Sequence, residues 1–298
     1  MNFLSMEYFA TVARSRNITN AAEELHITQQ TLSAHIASLE KELGCKLLVR
    51  KTPLELTYAG ERFLRYAQDF NSGYRALKAD FADISGNQSG RLRIGVAHTR
   101  GFVMMPPAIA AMRKEYPGVE ISLVEQTNGA LLDLLRKGAV DVFIGRVPGQ
   151  MPGFEVQPFY SEETVMLVPK WMGVDPALSG EEALAQMEGA PFILCGPSDI
   201  VGRISRMYLK RAGLRFQEAV ATSNSETMLS LCALGVGACF CPLVQVERTL
   251  SSSVLQKADL FRFKDDAKYP ISFAYREGAD SWSVLKRFIY IARQTAKG

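Results

Sequence analysis

The sequence predicts a chain with two kinds of fold, a small helical unit at the N-terminus and a larger α/β domain behind it. Apolar residues recur every three or four positions through most of residues 1 to 85, which is the period of amphipathic helices. From about residue 89, short apolar runs alternate with helical stretches, which is typical of helices packed on a parallel sheet. The length of 298 residues, with 47% hydrophobic residues, is enough for two or more cores.

The composition leaves several classes of protein open and disfavours others. The net charge of +3 permits binding to nucleic acid without arguing for it. The start has no secretion-signal pattern and no window is long and apolar enough for a membrane span, so we expect a cytoplasmic protein. Five cysteines without metal-ligand spacing and only three histidines predict reduced thiols, no metal site and no cofactor.

The first two elements of the N-terminal unit are predicted to be helices. The first follows from apolar residues at helical spacing: Phe3, Met6, Phe9, Val12 and Ala13. The second is the short stretch "TNAAEELH", which turns Ala21, Ala22 and Leu25 inward. Residues 1 to 58 are therefore expected to form one compact unit.

A third helix is predicted after the tight break at "HIT", with Thr28 as its N-cap. Its buried stripe is Leu32, Ile36, Leu39 and Leu43, and the opposite side is small and polar, with Gln29, Gln30, Ser33 and Ala34. Short side chains allow close approach to the major groove of DNA, and amides can make paired bonds to adenine. An isolated glutamine pair is more often a solvated helix face, so the neighbouring elements decide between the two interpretations.

A small hairpin is predicted after the third helix, which ends at Gly44. The stretch "CKLLVRKTPLELT" has the character of two strands with Pro53 at the bend. It carries Arg50 and Lys51, whose cationic groups can reach phosphates beside the groove.

One long helix is predicted over residues 59 to 85. Its apolar residues alternate at spacings of four and three, which is a heptad pattern. We call them the linker seam: Phe63, Ala67, Phe70, Tyr74, Leu77, Phe81 and Ile84. The pattern favours pairing with a second helix, and packing on the chain's own core is the alternative. A flexible exit, "SGNQSGR", follows at residues 85 to 91.

The N-terminal elements together resemble the winged helix-turn-helix of LysR-type transcriptional regulators. The resemblance is carried by "AAEELHITQQTLSAHIASLEKELGCKLLVRKTPLELTYAG", with matches at Ala21, Ala22, Gln29, Ser33, Leu39, Glu40, Gly44, Arg50, Leu56, Thr57 and Gly60. It departs at Ala34, where the family often has Arg, and at Leu48, where it often has Phe.

That resemblance implies how such a chain works. The partner would be double-stranded promoter DNA, the long helix would join two reading heads into a dimer, two dimers would form a homotetramer, and RNA polymerase is a further candidate partner. Residues 1 to 66 carry eight basic and seven acidic side chains, so a single head should bind weakly and pairs of heads should bind better. The expected operator is an inverted repeat with an adenine and thymine bias.

The C-terminal region is predicted to form two α/β subdomains. The pattern gives 59–88 as linker helix and hinge, and 89–298 as an effector-binding domain, in which subdomain I comprises 89–161 and 269–298 and subdomain II comprises 162–268. The layout resembles the effector domain of the same family, which is similar to periplasmic solute-binding proteins. Ligands of such folds bind in the cleft at the strand carboxyl ends.

Candidate effector contacts follow from their positions after strands or at helix starts. They are Thr99, Arg100, Thr127, Asn128, Arg146, Ser198, Arg203, Ser223 and Ser225. Helix N-termini and arginines favour anions, so the expected effector is a small organic acid. For each residue alone, an N-cap or a solvated side chain is the more common explanation.

Two alternatives to this interpretation stay open. Some members of the family sense oxidants through a cysteine, and Cys195 lies in the corresponding half of this chain. No resolving cysteine lies between Cys195 and Cys232, so the partner would have to be a distant cysteine brought near by folding. A small-molecule receptor without a DNA-reading role is the other. No catalytic motif is recognisable, so we expect no catalytic residue and no enzyme.

Overall fold

The computed structural model describes residues 3–49, 51, 53–84, 90–249 and 256–296. The N-terminal unit contains helices α1 (Phe3–Ser15), α2 (Ile18–Glu24) and α3 (Gln29–Leu43). A hairpin of β1 (Leu48–Val49) and antiparallel β2 (Glu55–Leu56) follows, and then α4 (Tyr58–Ile84). The long helix predicted over 59 to 85 is thus confirmed through residue 84, and residue 85 lies outside the described residues.

Local capping explains where the short helices begin and end. The Asn17 side chain accepts hydrogen bonds from the amides that open α2. Thr28 Oγ1 accepts from the Thr31 amide at 3.2 Å, which confirms the predicted N-cap of α3. Gly44 ends α3 with φ of 67°, a left-handed conformation that favours glycine.

The N-terminal core forms between α1, α3 and the hairpin. Phe9, Leu32 and Ile36 are almost completely buried there. The predicted stripe of α3 is correct for its first three residues and wrong for Leu43, which is 39% exposed. Leu43 is the last residue of α3, beyond the part of the helix that packs on this core.

The hairpin is fastened to both neighbouring helices. Glu40 of α3 accepts hydrogen bonds from the amides of Leu47 (2.9 Å) and Leu48 (3.2 Å) and from Lys46 Nζ (2.7 Å). On the other side, α4 starts so close to the hairpin that a Cβ on Gly60 would lie 2.1 Å from the Leu47 carbonyl oxygen. These contacts fix the hairpin relative to α3.

The C-terminal domain is an α/β fold around one mixed sheet. In chain order its elements are β3 (Gly90–Val96), α5 (His98–Glu115), β4 (Val119–Glu125), α6 (Asn128–Arg136), β5 (Val142–Gly145), β6 (Phe154–Pro169), α7 (Gly180–Ala185), β7 (Pro191–Leu194), α8 (Ile200–Ala212), β8 (Gln217–Ala221), α9 (Ser225–Ala233), β9 (Ala238–Pro242), α10 (Leu243–Thr249), β10 (Ala258–Arg262), β11 (Lys268–Arg276) and α11 (Ser283–Thr295).

The strand order within the described residues is β4-β3-β5-β11-β6-β9-β7-β8, and β10 pairs with β6. Strands β3, β4 and β5 run parallel, as do β7, β8 and β9. Strands β6 and β11 run antiparallel to their neighbours, so the parallel sheet that the alternation predicts is interrupted at its centre. β6 pairs with β11 as far as Glu163 and with β9 from Thr164.

The long helix α4 lies against the C-terminal domain near the end of β11 and the turn at residues 279–281. Arg276, at the end of β11, donates from Nη1 to Asp69 of α4 (2.5 Å) and from Nη2 to the Arg136 carbonyl (2.8 Å). The Asp69 side chain is 60% exposed, so this pair is a surface contact of small energy.

Candidate nucleic-acid interface and ligand cleft

The first candidate site is the exposed start of α3. Thr28, Gln29, Gln30 and Ala34 are exposed and Ser33 is half-buried. Within the described residues, no hydrogen bond uses the side-chain amide of Gln29 or Gln30, so both remain available to an outside partner. The structure therefore brings these five predicted residues together on one open surface.

Within the described residues, the hairpin carries one cationic side chain, that of Lys51, near the start of its turn. Lys51 is exposed, and its Nζ lies 2.7 Å from Glu55 Oε2 across the hairpin. Exposed pairs of this kind are weak, so Lys51 can exchange Glu55 for another anion. The predicted contact Arg50 lies outside the described residues.

The linker seam divides into two parts. Its first two residues, Phe63 and Ala67, pack within their own chain, so the prediction that they pair with a second helix is wrong. Ala67 is fully buried within its own chain, and Phe63 packs edge-on against Phe9 of the N-terminal core at 5.1 Å between ring centres. The reason is that α1 lies across the first half of α4. Further along, Phe70, Tyr74, Leu77 and Phe81 are 37–62% exposed, and the Ile84 side chain lies outside the described residues.

The second candidate site is a cavity of about 270 Å³ in the C-terminal domain. All nine predicted effector contacts line it: Thr99, Arg100, Thr127, Asn128, Arg146, Ser198, Arg203, Ser223 and Ser225. They come from the ends of β3, β4, β5, β7 and β8 and from the helix starts that follow. The prediction of their position is confirmed, while their role in binding stays a prediction.

Several of these side chains hold the cleft together by contacts among themselves. Thr99 Oγ1 and Ser225 Oγ lie 2.8 Å apart and join the starts of α5 and α9 across the cleft. Asn128 makes two hydrogen bonds to the backbone of Arg146, at 2.7 and 2.9 Å. Thr127 caps α6. Thr127 and Asn128 therefore stabilise the local fold, Thr127 as an N-cap and Asn128 through its bonds to the Arg146 backbone, whether or not they also contact a ligand.

The cavity is also lined by residues that the sequence analysis missed. They include His98, Gln126, Glu162, Asp199 and Tyr269. Glu162 and Tyr269 lie on β6 and β11, the two antiparallel strands at the centre of the sheet. Two adjacent glutamates, Glu162 and Glu163, precede the apolar run "TVMLVP" and were the available signal, although they do not show which of the two is buried. No local signal distinguished Tyr269.

Buried charge concentrates at the inner end of the cleft. Arg100 is 7% exposed and Glu162 is 2% exposed, and Tyr160 donates a 2.8 Å hydrogen bond to Glu162. Burial raises the pKa of Glu162 above its usual range, although Arg100, Tyr160 and backbone amides oppose this shift. Burial likewise raises the pKa of the Tyr160 and Tyr269 hydroxyls. The site thus contains a permanent cation and groups that favour their neutral forms.

Cys195 forms part of the cavity wall and is 5% exposed. Burial, followed by the nearby charge of Asp199, raises the pKa of its thiol to about 12. Behind it, Cys232, Cys239 and Cys241 lie in the same apolar cluster, and all five cysteines are free. A thiol in this state is a poor nucleophile at neutral pH.

The described part of the chain contains neither a candidate metal site nor a candidate membrane-spanning helix. No group of three or more His, Cys, Asp or Glu residues there could hold a metal ion. No helix there is both long and apolar enough to cross a membrane.

Two family models match the chain. Residues 3–61 match the bacterial regulatory helix-turn-helix protein model of the lysR family, and residues 85–297 match the LysR substrate binding domain. Together the two matches cover the exposed face of α3 and the cleft.

Curated relatives share the sequence over most of its length. The chain is 32% identical to the uncharacterized HTH-type transcriptional regulator YcgK of Bacillus subtilis over 81% of this chain and 80% of YcgK. It is 29% identical to the HTH-type transcriptional regulator CatR of Pseudomonas putida over 99% of both chains.

Solved structures share the fold. A full-length OxyR variant from Pseudomonas aeruginosa has a TM-score of 0.75 at 22% identity, covering 100% of this chain and 95% of that one. CbnR, a LysR family transcriptional regulator, has a TM-score of 0.62 at 23% identity, covering 100% of both chains. CbnR complexed with its target DNA has a TM-score of 0.60 at 23% identity, covering 99% of this chain and 100% of that one.

Proposed function

The chain belongs to the LysR family of bacterial transcriptional regulators. From that premise, we propose that it binds a specific promoter sequence and that a small organic acid bound in the cleft changes its contacts with DNA. The observation that carries the proposal is the pair of free amides of Gln29 and Gln30 at the exposed start of a well-capped helix. A helix start of this kind fits the major groove.

The reading head is built to place α3 firmly. Gln29, Gln30 and Ser33 offer hydrogen bonds to base edges, with the paired amide bonds favouring adenine. Thr28 and the small Ala34 allow the helix to approach, and the exposed Lys51 reaches the phosphates on the hairpin side, a role that the sequence also predicts for Arg50. The solved relative CbnR in complex with target DNA supports the same role for this head.

Two reading heads would be joined through the exposed part of α4. Phe70, Tyr74 and Leu77 line an apolar groove of about 400 Å³ together with Phe3 and Tyr66. An exposed aromatic face of this size is expected to be covered in the working protein. A second copy of α4 covers it at heptad spacing, with Phe81 extending the contact. The dimers then pair into a homotetramer, as in the family, and RNA polymerase remains a candidate partner.

The cleft supplies the response to the effector. It is a cavity with three arginines, four helix starts and a wall of apolar side chains, a combination that favours an organic anion. Effector binding changes the relative position of the paired heads only if one arrangement binds it more tightly than the other. The mechanism is therefore a shift between two arrangements of the domains.

The structure gives little support to a redox response through Cys195. One relative, from Mycobacterium xenopi, is named a probable hydrogen peroxide-inducible genes activator and is 32% identical over 54% of this chain. The Cys195 thiol, however, is 5% exposed and has a pKa raised to about 12, which opposes reaction with an oxidant. A receptor that does not bind DNA would not explain why the side-chain amides of Gln29 and Gln30 on α3 are exposed and make no hydrogen bond within the described residues.

A nuclease footprint on the DNA upstream of the chain's own gene tests the proposal. We expect protection over several helical turns with two half-sites, an affinity that falls with salt, and a shorter footprint for Leu77→Asp, which places a charge in the apolar groove of α4. Gln217→Asp, which adds the same charge at an exposed position on β8 of the C-terminal domain, is the control and should leave the length of the footprint unchanged. Equal affinity for promoter and random DNA, at any salt concentration, would refute sequence-specific reading.

A further inference from the structure

Two polar groups at the inner end of the cleft lack partners. Arg100 is 7% exposed and Tyr269 is 4% exposed. The two side chains lie close to each other, yet within the described residues neither Nε of Arg100 nor the hydroxyl of Tyr269 makes a hydrogen bond of good geometry. Buried donors are almost always satisfied in proteins. Both residues line the cavity, so a group inside it is the natural partner.

No neighbouring acid neutralises Arg100 by direct contact. Among the described residues, Arg100 has no ion pair within 4 Å, although Glu162 is close enough to interact with it. Glu162 is instead held by the Tyr160 hydroxyl at 2.8 Å and by the Val244 amide. The guanidinium therefore keeps donors for an anion, with Glu162 as a second acidic group nearby.

The other two arginines of the cleft differ from Arg100 in exposure. Arg146 and Arg203 are both exposed at the mouth, and Arg203 donates to the Ser198 carbonyl at 3.4 Å. Water weakens their attraction for an anion, whereas burial strengthens that of Arg100. Arg100 is therefore the strongest anchor available to a bound anion.

The remaining walls describe the body of the ligand. Ile200, Val201 and Phe240 are apolar and line the same cavity. The volume of about 270 Å³ is about nine times the roughly 30 Å³ that one water occupies in the liquid. A single ring or a short chain fits this space.

We propose that Arg100 and Tyr269 form the anchoring subsite for one carboxylate of a small acid with an apolar body, and that Glu162 makes this subsite reject groups with two negative charges. The carboxylate accepts hydrogen bonds from Arg100 Nε and from the Tyr269 hydroxyl. A group with two negative charges, such as a phosphate, meets only one buried cation, Arg100. Its second charge either faces the Glu162 carboxylate or forces that carboxylate to take up a proton, and both cost free energy. This inference rests on the proposed effector response and assigns Tyr269 and Glu162 a role in its specificity.

Thermal unfolding and calorimetric titration of the full-length protein test the subsite with chosen probes. Benzoate and hexanoate are compared with benzamide and hexanamide, which lack the charge, and with phenyl phosphate, which carries nearly two charges at neutral pH. We expect at least one carboxylate to bind, and each amide and the phosphate to bind at least about tenfold more weakly. Binding of an amide or of phenyl phosphate as tight as that of the acid, or no binding by either acid at millimolar concentration, would overturn the proposal.

Variants separate the anchor from the mouth. Arg100→Gln should weaken binding of the acid by about tenfold or more, and Tyr269→Phe by about three- to tenfold. Tyr275→Phe, on the same strand but outside the cavity, and Arg203→Gln, at the mouth, should change it less than Tyr269→Phe. Unchanged binding in Tyr269→Phe, which removes a single oxygen and should fold, would remove that residue from the subsite.

The DNA footprint keeps the two proposals distinguishable. All of these variants should protect promoter DNA without ligand, because none lies in the reading head. Loss of acid binding with an intact footprint in Arg100→Gln supports the subsite. A wild-type protein that binds the acid through Arg100 but shows no DNA preference would refute the proposed function and leave the subsite standing.

Discussion

Among the described residues, the N-terminal unit and the C-terminal domain each bury one glutamate, and the pKa values of the two carboxyl groups shift in opposite directions. Glu40 is 4% exposed and Glu162 is 2% exposed. Burial raises the pKa of Glu40, but Lys46 and the amides of Leu47 and Leu48 more than offset it and hold the pKa below its usual value. For Glu162, burial outweighs its partners and the pKa stays raised.

The difference separates a supporting group from a group at a binding site. Glu40 accepts hydrogen bonds from three donors at the start of the hairpin, Lys46, Leu47 and Leu48, so its charge serves the fold. Glu162 faces a cavity beside a buried arginine without an ion pair to it. A group with a shifted pKa that lines a cavity is more often functional than one in a closed network.

The largest expected effect is on the support of the reading head. Gly60→Ala places a Cβ 2.1 Å from the Leu47 carbonyl oxygen, so hairpin and α4 must separate, at a cost of about 3 kcal/mol in free energy of unfolding. Urea unfolding and promoter binding measure it. Gly73→Ala, on the same helix with no atom within 4 Å of the new Cβ, should unfold at the same or slightly higher urea concentration. Equal behaviour of the two variants would mean that the hairpin is not held by this contact.

A substitution on the exposed face of α3 should alter the recognition of DNA bases without changing the contacts that hold the N-terminal unit together. Gln30→Ala removes a free amide from an exposed position, and we expect it to reduce discrimination between matched and mismatched operators by about 1 to 3 kcal/mol. Thermal stability should stay near that of the wild type. Competition binding with single-base operator variants measures the effect, and Gln217→Ala, far from α3, is the matched control. A uniform loss across all DNA sequences would show that Gln30 does not read bases.

The supporting glutamate should stabilise the head in a pH-dependent way. Glu40→Gln weakens charge-assisted hydrogen bonds and should lower the free energy of unfolding by about 1.5 kcal/mol at neutral pH. Because the folded pKa of Glu40 is lowered, this contribution is present above the ordinary value of 4.5 and is lost as pH falls through the folded pKa. Urea unfolding from neutral to acidic pH should show the two proteins converging. A gap that widens towards acid would contradict the lowered pKa.

The smallest effect is expected in the cleft, and its pH dependence should have the opposite sign. The folded pKa of Glu162 is raised, so its contribution to stability is present below the ordinary value of 4.5 and is lost as pH rises through the folded pKa. Glu162→Gln cannot titrate, and wild-type stability relative to this variant should fall by about 1 kcal/mol over that range. The same unfolding series measures it. A wild type that gains on the variant as pH rises would mean that Arg100 fixes Glu162 as a carboxylate.

Local patterns predicted the head and the order of elements well. Thr28, Gly44 and the amide pair act through neighbours a few positions away, so capping and period located them. The seam was predicted less well, because a heptad pattern states which face of α4 is apolar but not what covers it. Phe63 and Ala67 meet α1, whereas Phe70 and Leu77 remain exposed.

The sequence by itself determined the elements, the exposed face of α3 and the strand ends at which the cleft residues lie, because each depends on contacts within one helix or one strand. Only the tertiary structure decided that Thr99 meets Ser225 and that Arg100 is buried beside Glu162 and Tyr269. These residues lie far apart in the chain, and no local period relates them. Strands β6 and β11 bury Glu162 and Tyr269 beside Arg100, and this burial shifts the pKa values of the two groups. The burial exists only after the sheet has formed.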